Sequence, residues 1–424
     1  MLRNVSFSMH VNIDSNYKDK TGAKLASQLI RKCVHCGFCN ATCPTYQTLG
    51  DERSGPRGRI SIIKDLLEGK PTSTDSLHHL DQCLLCRNCE TTCPSGVQYS
   101  KIYEHGKPLM ENIEKRRFWP RLIRTILKKF LLSKSFHISI FVANLFKSIF
   151  PKSLRAFLPN KKPYTIPTNA NLKKQNKNCN SKSYNILLFR GCVQKSLKPT
   201  INTATELVLN ASNCKTFIAT DSVCCGALEG HLSDKTAKLK RVKENISHWK
   251  STIQKNKIDF LVSTASACSY EIKDYLNIDG LSEDEKKSVR DIIKITKDIS
   301  ELLPQIYESL KNTIKIKEEK IAFHPPCTLQ HGLKINGLIE KYFIDFGYDI
   351  ETQFPEKHLC CGSAGTYSIL NPKIAGELRD RKLTNLHQTG CKQILTANIG
   401  CITHLQSKSD KPVKHWIEKL AEDL

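Results

Sequence analysis

Residues 33–44 read CVHCGFCNATCP, and residues 83–94 read CLLCRNCETTCP. Each run has three cysteines at every third position, a fourth four residues on, and a proline directly after it. Four irons in a cubane need four thiolates around one small body. A tight loop with a cysteine every third residue supplies three of them from one side, and the turn before the proline carries the fourth away to the other cluster. The spacing therefore assigns Cys33, Cys36, Cys39 and Cys93 to one [4Fe–4S] cluster. Cys83, Cys86, Cys89 and Cys43 are assigned to a second. Zinc is the alternative. Its structural sites favour paired CxxC or mixed Cys/His sets, so four cysteines within 11 residues suit it poorly. His35, inside the first loop, is read as a neighbour of the metal rather than a ligand. Between the runs, Gly55–Gly58 (GPRG) reads as a turn and Ile60–Leu67 as a short helix packing the two clusters together. Arg53, Arg57 and Arg59 are candidates to balance cluster charge, or else solvated loop residues.

A second cysteine pattern occurs twice further on. Cys192, Cys224-Cys225-Gly226 and Cys268 form one copy; Cys327, Cys360-Cys361-Gly362 and Cys401 form the other. Short β-rich runs (YNILLFRG, KTFIAT, DFLVSTAS, then KIAFHP, GYDIETQ, KQILTANIG) alternate with helical stretches, which is the texture of a parallel sheet covered by helices. The first and last cysteine of each copy lie just past a strand. Loops at the carboxyl ends of parallel strands meet along one edge, so four thiols per copy are expected to converge. Such a set suits iron–sulfur or another soft metal. A vicinal disulfide would be strained and would leave the outer pair unexplained. Cys179, Cys214 and Cys391 fall outside both patterns and read as small buried hydrophobes. His324, His331, His358 and His404 are candidates for a proton or quinone role, or ordinary satisfied polar residues.

The chain has 424 residues, 19 of them cysteine, and a net charge of +24. That length supports two or three domains with cores of their own. The opening residues lack an apolar stretch of signal-peptide length, so the thiols are expected in a reducing compartment. The charge is concentrated. Lys115–Thr205 holds 20 Lys/Arg and no Asp or Glu, leaving 45 basic against 41 acidic residues elsewhere. A nucleic-acid reader carries its charge on a folded recognition module; here it sits on a connector, so no nucleic-acid partner is expected. Arg116–Arg155 alternates Lys and Arg with Trp, Phe, Leu and Ile. It reads as an amphipathic helix lying in a membrane surface, or packed against other protein. Its longest uncharged run, 12 residues between Lys134 and Lys147, is too short to span a bilayer.

The expected architecture is an α+β multidomain: an N-terminal helical two-cluster ferredoxin domain followed by two duplicated α/β cysteine-rich domains. The boundaries read as 1–114 for the ferredoxin-type domain, 115–183 for the basic segment and linker, and 184–280 for the first repeat. Connecting helices follow at 281–319, and the second repeat occupies 320–424. No nucleotide-binding glycine motif, Walker loop, HExxH or GxSxG occurs. The chain reads as a conduit for single electrons, inactive on substrate by itself.

These motifs, with the phrases CVHCGFCNATCPTYQTLGDERSGPRGRI, HPPCTLQHG, LCCGSAGTYSIL and GCITHL, resemble the glycolate oxidase iron–sulfur subunit family over about Leu25 to His404. The resemblance implies flavin-binding dehydrogenase subunits as partners, which oxidise glycolate to glyoxylate. It further implies delivery of electrons to a membrane quinone-type acceptor, hence a cytoplasmic chain peripheral on the inner face of the membrane. Equivalent subunits of D-lactate or glycerol-3-phosphate dehydrogenases, and of heterodisulfide reductase, are the alternatives. Heterodisulfide reductase relatives often close each repeat with CxxC. Here Ala265 and Asn398 stand where that extra thiol would be.

Overall fold

A computed structural model describes residues 9–146, 183–219 and 223–424. Cys179 and most of the linker lie outside the described residues. Two compact units are formed. One comprises the chain up to Ile126 together with His358–Leu378; the other comprises Leu127–Lys357 and Arg379–Leu424.

The first unit is helical. Its scaffold is three helices, Thr21–Ile30, Pro56–Leu67 and Tyr99–Ile113, packed on one another. Ala23, Ala26 and Ile30 recur at helical spacing and are fully buried, as are Ile63, Leu67, Ile102 and Met110. That spacing puts one apolar stripe of each helix into a common core. The cysteine loops lie against the same core. The GPRG stretch departs from the expected turn. Pro56 is the first residue of the 12-residue helix, where its missing N–H costs nothing and its fixed φ suits the helix. The helix thus starts four residues earlier than the sequence suggested, and Arg57 and Arg59 stand on it rather than in a loop.

The second unit holds two four-stranded sheets. In the first, β1 (Asn185–Phe189), β2 (Lys215–Ile218), β3 (Phe260–Ser263) and β4 (Thr296–Asp298) run parallel in the order β2-β1-β3-β4. In the second, β5 (Ile321–His324), β6 (Ile350–Glu351), β7 (Gln393–Thr396) and β8 (Val413–His415) repeat that order as β6-β5-β7-β8, again parallel. Central strands β5 and β7 are buried throughout, while edge strand β2 is partly exposed; strands covered on both faces are mostly apolar, and the polar exceptions here, His324, Gln393 and Thr396, stand at strand ends. Phe189 packs edge-on to Trp249 and Trp249 stacks on Tyr275 beneath the first sheet. The strands β4 and β8 fall outside the short β-rich runs of the sequence. β4 arises inside the stretch read as connecting helices, and its three residues, TKD, carry no β pattern.

The basic segment forms two helices, Phe118–Leu131 and Lys134–Leu145, rather than one. Ser133 caps the second by accepting from Phe136 N–H at 3.2 Å. On the first helix Phe118, Trp119, Ile123, Ile126 and Phe130 are all exposed. Arg116 and Arg124 are not free surface charges: both pair with Asp81, at 2.8 and 2.9 Å, beside Lys107 at 3.1 Å. Burial alone would raise the Asp81 pKa, but these three cations hold its carboxyl well below the usual range. Among the described residues no helix is long and apolar enough to cross a membrane.

Candidate functional site

The two ferredoxin-type runs wrap in the same way. His35 and Gly37 in the first, and Leu85 and Arg87 in the second, have positive φ values of 55°, 84°, 51° and 60°. The alternation of left-handed and ordinary residues coils each loop around its cavity, with Cys36 at the exposed rim. Three of these four residues carry a Cβ, so the backbone holds strain that the packed surroundings must impose.

Each loop closes one wall of a cavity. Cys33, Cys36, Cys39 and Cys93 line the first, together with His35, Arg57 and Ile60. Cys43, Cys83, Cys86 and Cys89 line the second, together with Thr45, Arg59 and Arg87. Each run thus sends its fourth cysteine to the other's cavity. Cys89, Tyr99 and Pro56 border both, so the cavities are neighbours sharing a wall.

Hydrogen-bond donors face the sulfurs. Leu85 N–H donates to Cys83 Sγ at 3.4 Å, Val97 N–H to Cys93 Sγ at 3.5 Å, and the Tyr99 hydroxyl to Cys83 Sγ at 3.4 Å. Without a bound cation the thiols resist ionisation. Burial pushes Cys39 up to about 11, and raises Cys33 and, far more, Cys89. All 18 described cysteines are free of disulfides. Iron supplies the positive charge these thiols lack, since a coordinating thiol is deprotonated outright. The donor set therefore fits an iron–sulfur core.

The three arginines separate. Arg53, in the short 3-10 turn Glu52–Ser54, is exposed and paired with Asp51 and Asp75. Arg57 pairs with Glu52 at 2.6 Å and donates to His35 O at 3.1 Å. Arg59 is 1% exposed and donates to His79 O at 2.8 Å and Thr45 Oγ1 at 3.0 Å.

In the first repeat, Cys192, Cys224-Cys225 and Cys268 follow β1, β2 and β3 in turn. The order β2-β1-β3 reverses direction between β1 and β3, and such a switch point opens a crevice at the carboxyl edge. The four thiols meet there: Cys192 and Cys224 are 3.4 Å apart, as are Cys225 and Cys268. Hydrogen bonds from Cys192 and Cys225 drive Cys224 well below the usual thiol range, while both donors are pushed up. Two residues unmarked by any motif hold this loop. Asn245 accepts from Val223 N–H at 3.1 Å and donates to Cys224 O at 3.0 Å; the Tyr275 hydroxyl donates to Cys225 O at 2.8 Å. Gly226, at φ 93°, supplies the left-handed turn into the next helix, and Gly362, at φ 92°, has the same geometry after Cys361. In both copies glycine meets the conformational demand of this turn.

In the second repeat, Cys327 follows β5 and Cys401 follows β7, both in the second unit. Cys360 and Cys361 are buried in the His358–Leu378 segment of the first unit. There the Asn88 amide donates to His358 O at 3.4 Å. The buried Tyr367 hydroxyl, its pKa raised chiefly by burial, is also under the influence of Cys83, Cys360 and Cys43. His324 is fully buried with neither ring nitrogen hydrogen-bonded, and one of them lies within 4.8 Å of Cys401 Sγ. His324 stands three residues before Cys327, as Phe189 stands three before Cys192. Aligning the copies would have exposed that difference. His331 and His404 are buried, as are Cys214 and Cys391.

A 4Fe-4S dicluster domain model matches residues 29–97, and a cysteine-rich domain model matches 186–273 and 321–406. The chain is 38% identical to the glycolate oxidase iron-sulfur subunit of Escherichia coli (strain K12) over 98% of its own length and 99% of that protein's. It is 25% identical to a probable glycolate oxidase iron-sulfur subunit of Bacillus subtilis (strain 168), over 88% of each chain. It is 22% identical to lactate utilization protein A of Bacillus licheniformis over 54% of this chain and 94% of that one. With this near-full-length similarity, the dicluster domain and the paired cysteine-rich repeats, the chain belongs to the glycolate oxidase iron–sulfur subunit family.

Proposed function

We propose that the chain relays electrons within a glycolate dehydrogenase complex, from flavin-binding subunits that oxidise glycolate to glyoxylate toward a membrane quinone-type acceptor. The observation that carries this reading is the pair of adjoining cavities, each lined by the first three cysteines of one run and the fourth of the other. Cys33, Cys36, Cys39 and Cys93 would hold one [4Fe–4S] cluster, and Cys83, Cys86, Cys89 and Cys43 the other. When bound, such clusters supply one-electron storage at a potential tuned by their surroundings.

The protein's part is to fix and insulate. The left-handed loop residues aim the thiols, and the Leu85 and Val97 amides and the Tyr99 hydroxyl donate to sulfur. Cys89 and Tyr99, in the shared wall, keep the two sites adjacent. Cys192, Cys224, Cys225 and Cys268 are proposed to form a further soft-metal site. Cys327, Cys360, Cys361 and Cys401 are proposed as its counterpart in the second repeat.

Attachment to the inner face of the membrane is proposed through the stripe of Phe118, Trp119, Ile123, Ile126 and Phe130, flanked by Arg117 and Arg121. Exposed aromatics beside cations suit an anionic interface. An equivalent role with lactate is the second reading, supported by the similarity to a lactate utilization protein over about half the chain.

Anaerobic addition of glycolate tests the proposal. Glycolate is expected to reduce the iron–sulfur signals of the chain assembled with its flavoprotein partners, and to leave the isolated chain oxidised. Reduction of the flavin-free isolated chain, or an assembled complex whose flavin is reduced while its iron–sulfur signals stay oxidised, would overturn it.

A further inference from the structure

Two arginines stand beside the two cavities, and their charges are handled differently. Arg57, at the first, is paired with Glu52 at 2.6 Å and is part-exposed. Arg59, at the second, is 1% exposed, and its hydrogen-bond acceptors, the His79 carbonyl and the Thr45 hydroxyl, are neutral. Among the described residues no carboxylate pairs with it. The ionisable groups that favour its charge are Tyr99, Cys83, Cys43 and Tyr103. A buried guanidinium without a counter-ion is strongly disfavoured. Arg cannot discharge by losing its proton. The compensating negative charge must therefore come from the cavity it lines.

We propose that Arg59 raises the reduction potential of the cluster in the Cys43–Cys83–Cys86–Cys89 cavity, because its unneutralised charge grows more favourable as that site gains an electron. The inference rests on the reading that this cavity holds a [4Fe–4S] cluster. Four thiolates leave the site net negative, and reduction adds one further negative charge. No bond forms or breaks, and Arg59 keeps all its protons. The electron comes from a reduced flavoprotein in the complex, or from dithionite in a titration. Net charge and hydrogen bonding near the sulfurs are established levers on cluster potential. Glu52 cancels this lever for Arg57, so the two sites are tuned apart by one carboxylate.

The test is a potentiometric titration of the full chain followed by electron paramagnetic resonance, with Cys36→Ser and Cys86→Ser used to assign the two signals. Arg59→Gln is expected to lower the second cluster's one-electron equilibrium constant at least tenfold, about 59 mV, with the first unchanged. Arg59→Lys, which keeps the charge, is expected to stay within threefold of wild type. An unchanged potential in Arg59→Gln, or equal shifts in both variants, would overturn the inference. Should Arg59→Gln lose iron from the second cavity, Glu52→Gln decides the matter. It frees the charge of Arg57 and is expected to raise the first cluster's equilibrium constant more than threefold; no rise would overturn the argument. Wild-type protein lacking iron in the second cavity would instead defeat the cluster reading itself.

Discussion

Gly58→Ala sets two effects of opposite sign against each other. Gly58 lies in the helix Pro56–Leu67, where alanine is favoured over glycine by about 1 kcal/mol. Its φ is not in the left-handed region, so the backbone itself accepts a side chain. The space does not. A Cβ there would lie 2.1 Å from Glu52 O, 2.7 Å from Glu52 C and 2.8 Å from Arg53 Cα, all backbone atoms. Relief to about 3 Å needs the helix or the turn to retreat by roughly 1 Å, which in a packed core costs about 1–3 kcal/mol. The turn is poorly placed to yield. Glu52 is bound by Arg57 and Asn40, and Ser54 by Thr45, His79 and Gln82. The upper end of that range therefore applies, and after the propensity gain a net loss of about 2 kcal/mol remains. That corresponds to a midpoint lower by about 4–8 °C for a unit of this size. Because Arg57 and Arg59 ride on the same helix, both cavities shift with it. The assay is anaerobic thermal bleaching of the iron–sulfur absorbance, with iron content as a second readout. A Gly58→Ala protein that bleaches at the wild-type temperature or above would show that propensity governs and that the close approach is not a constraint.

Further outcomes follow from the same physics. Tyr275→Phe keeps the stack on Trp249 but removes the hydroxyl that donates to Cys225 O, costing about 1–2 kcal/mol; Asn245→Ala, losing its bonds to Val223 N–H, Cys224 O and the Tyr275 hydroxyl, costs about 2–4 kcal/mol. Thermal unfolding and the alkylation rate of Cys224 and Cys225 measure both, and wild-type behaviour of the two variants would dismiss their role in holding the loop. Burial lowers the fully buried His415 from 6.5 to about 4. The unfolded chain then binds a proton that the folded one refuses, so stability is complete above about pH 6.5 and falls toward pH 4, by about 2 kcal/mol at pH 5. His415→Asn keeps an acceptor at the start of the last helix and is expected to remove that slope in denaturant titrations at several pH values; a persisting slope would assign it to other groups. Flotation of the assembled complex with anionic and neutral vesicles tests the exposed stripe. Binding that requires anionic lipid, falls with salt and weakens in Trp119→Ser is expected, and no binding would leave the stripe a protein contact.

The cavities were legible because ligation by clustered thiols is written locally. The spacing within each run and the 50-residue offset between runs required no knowledge of the tertiary fold. Six strands were legible as short β-rich runs: β1, β3, β5 and β7 are largely buried, as a short apolar run suggests, while the part-exposed β2 and β6 were marked by the alternation of such runs with helical stretches. β4 and β8 were not, because TKD and VKH are three residues each and owe their strand state to pairing with β3 and β7. The Gly55–Gly58 stretch read as a turn from composition, whereas position decides: a proline that opens a helix is favourable there. Asn245 and Tyr275 act through single hydrogen bonds to a loop distant in sequence, which no pattern reports. His324 was legible as a candidate because it flanks a motif cysteine, and its counterpart in the other copy is Phe189.

The account rests most directly on the crossing of the fourth cysteines between the two cavities. The measurement is iron content and the reduced electron paramagnetic resonance spectrum of anaerobically purified Cys43→Ser and Cys93→Ser proteins, beside Cys36→Ser and Cys86→Ser. The account predicts that Cys93→Ser perturbs the same signal as Cys36→Ser, and Cys43→Ser the same signal as Cys86→Ser. Pairing of Cys43→Ser with Cys36→Ser, or zinc in place of iron, would contradict it.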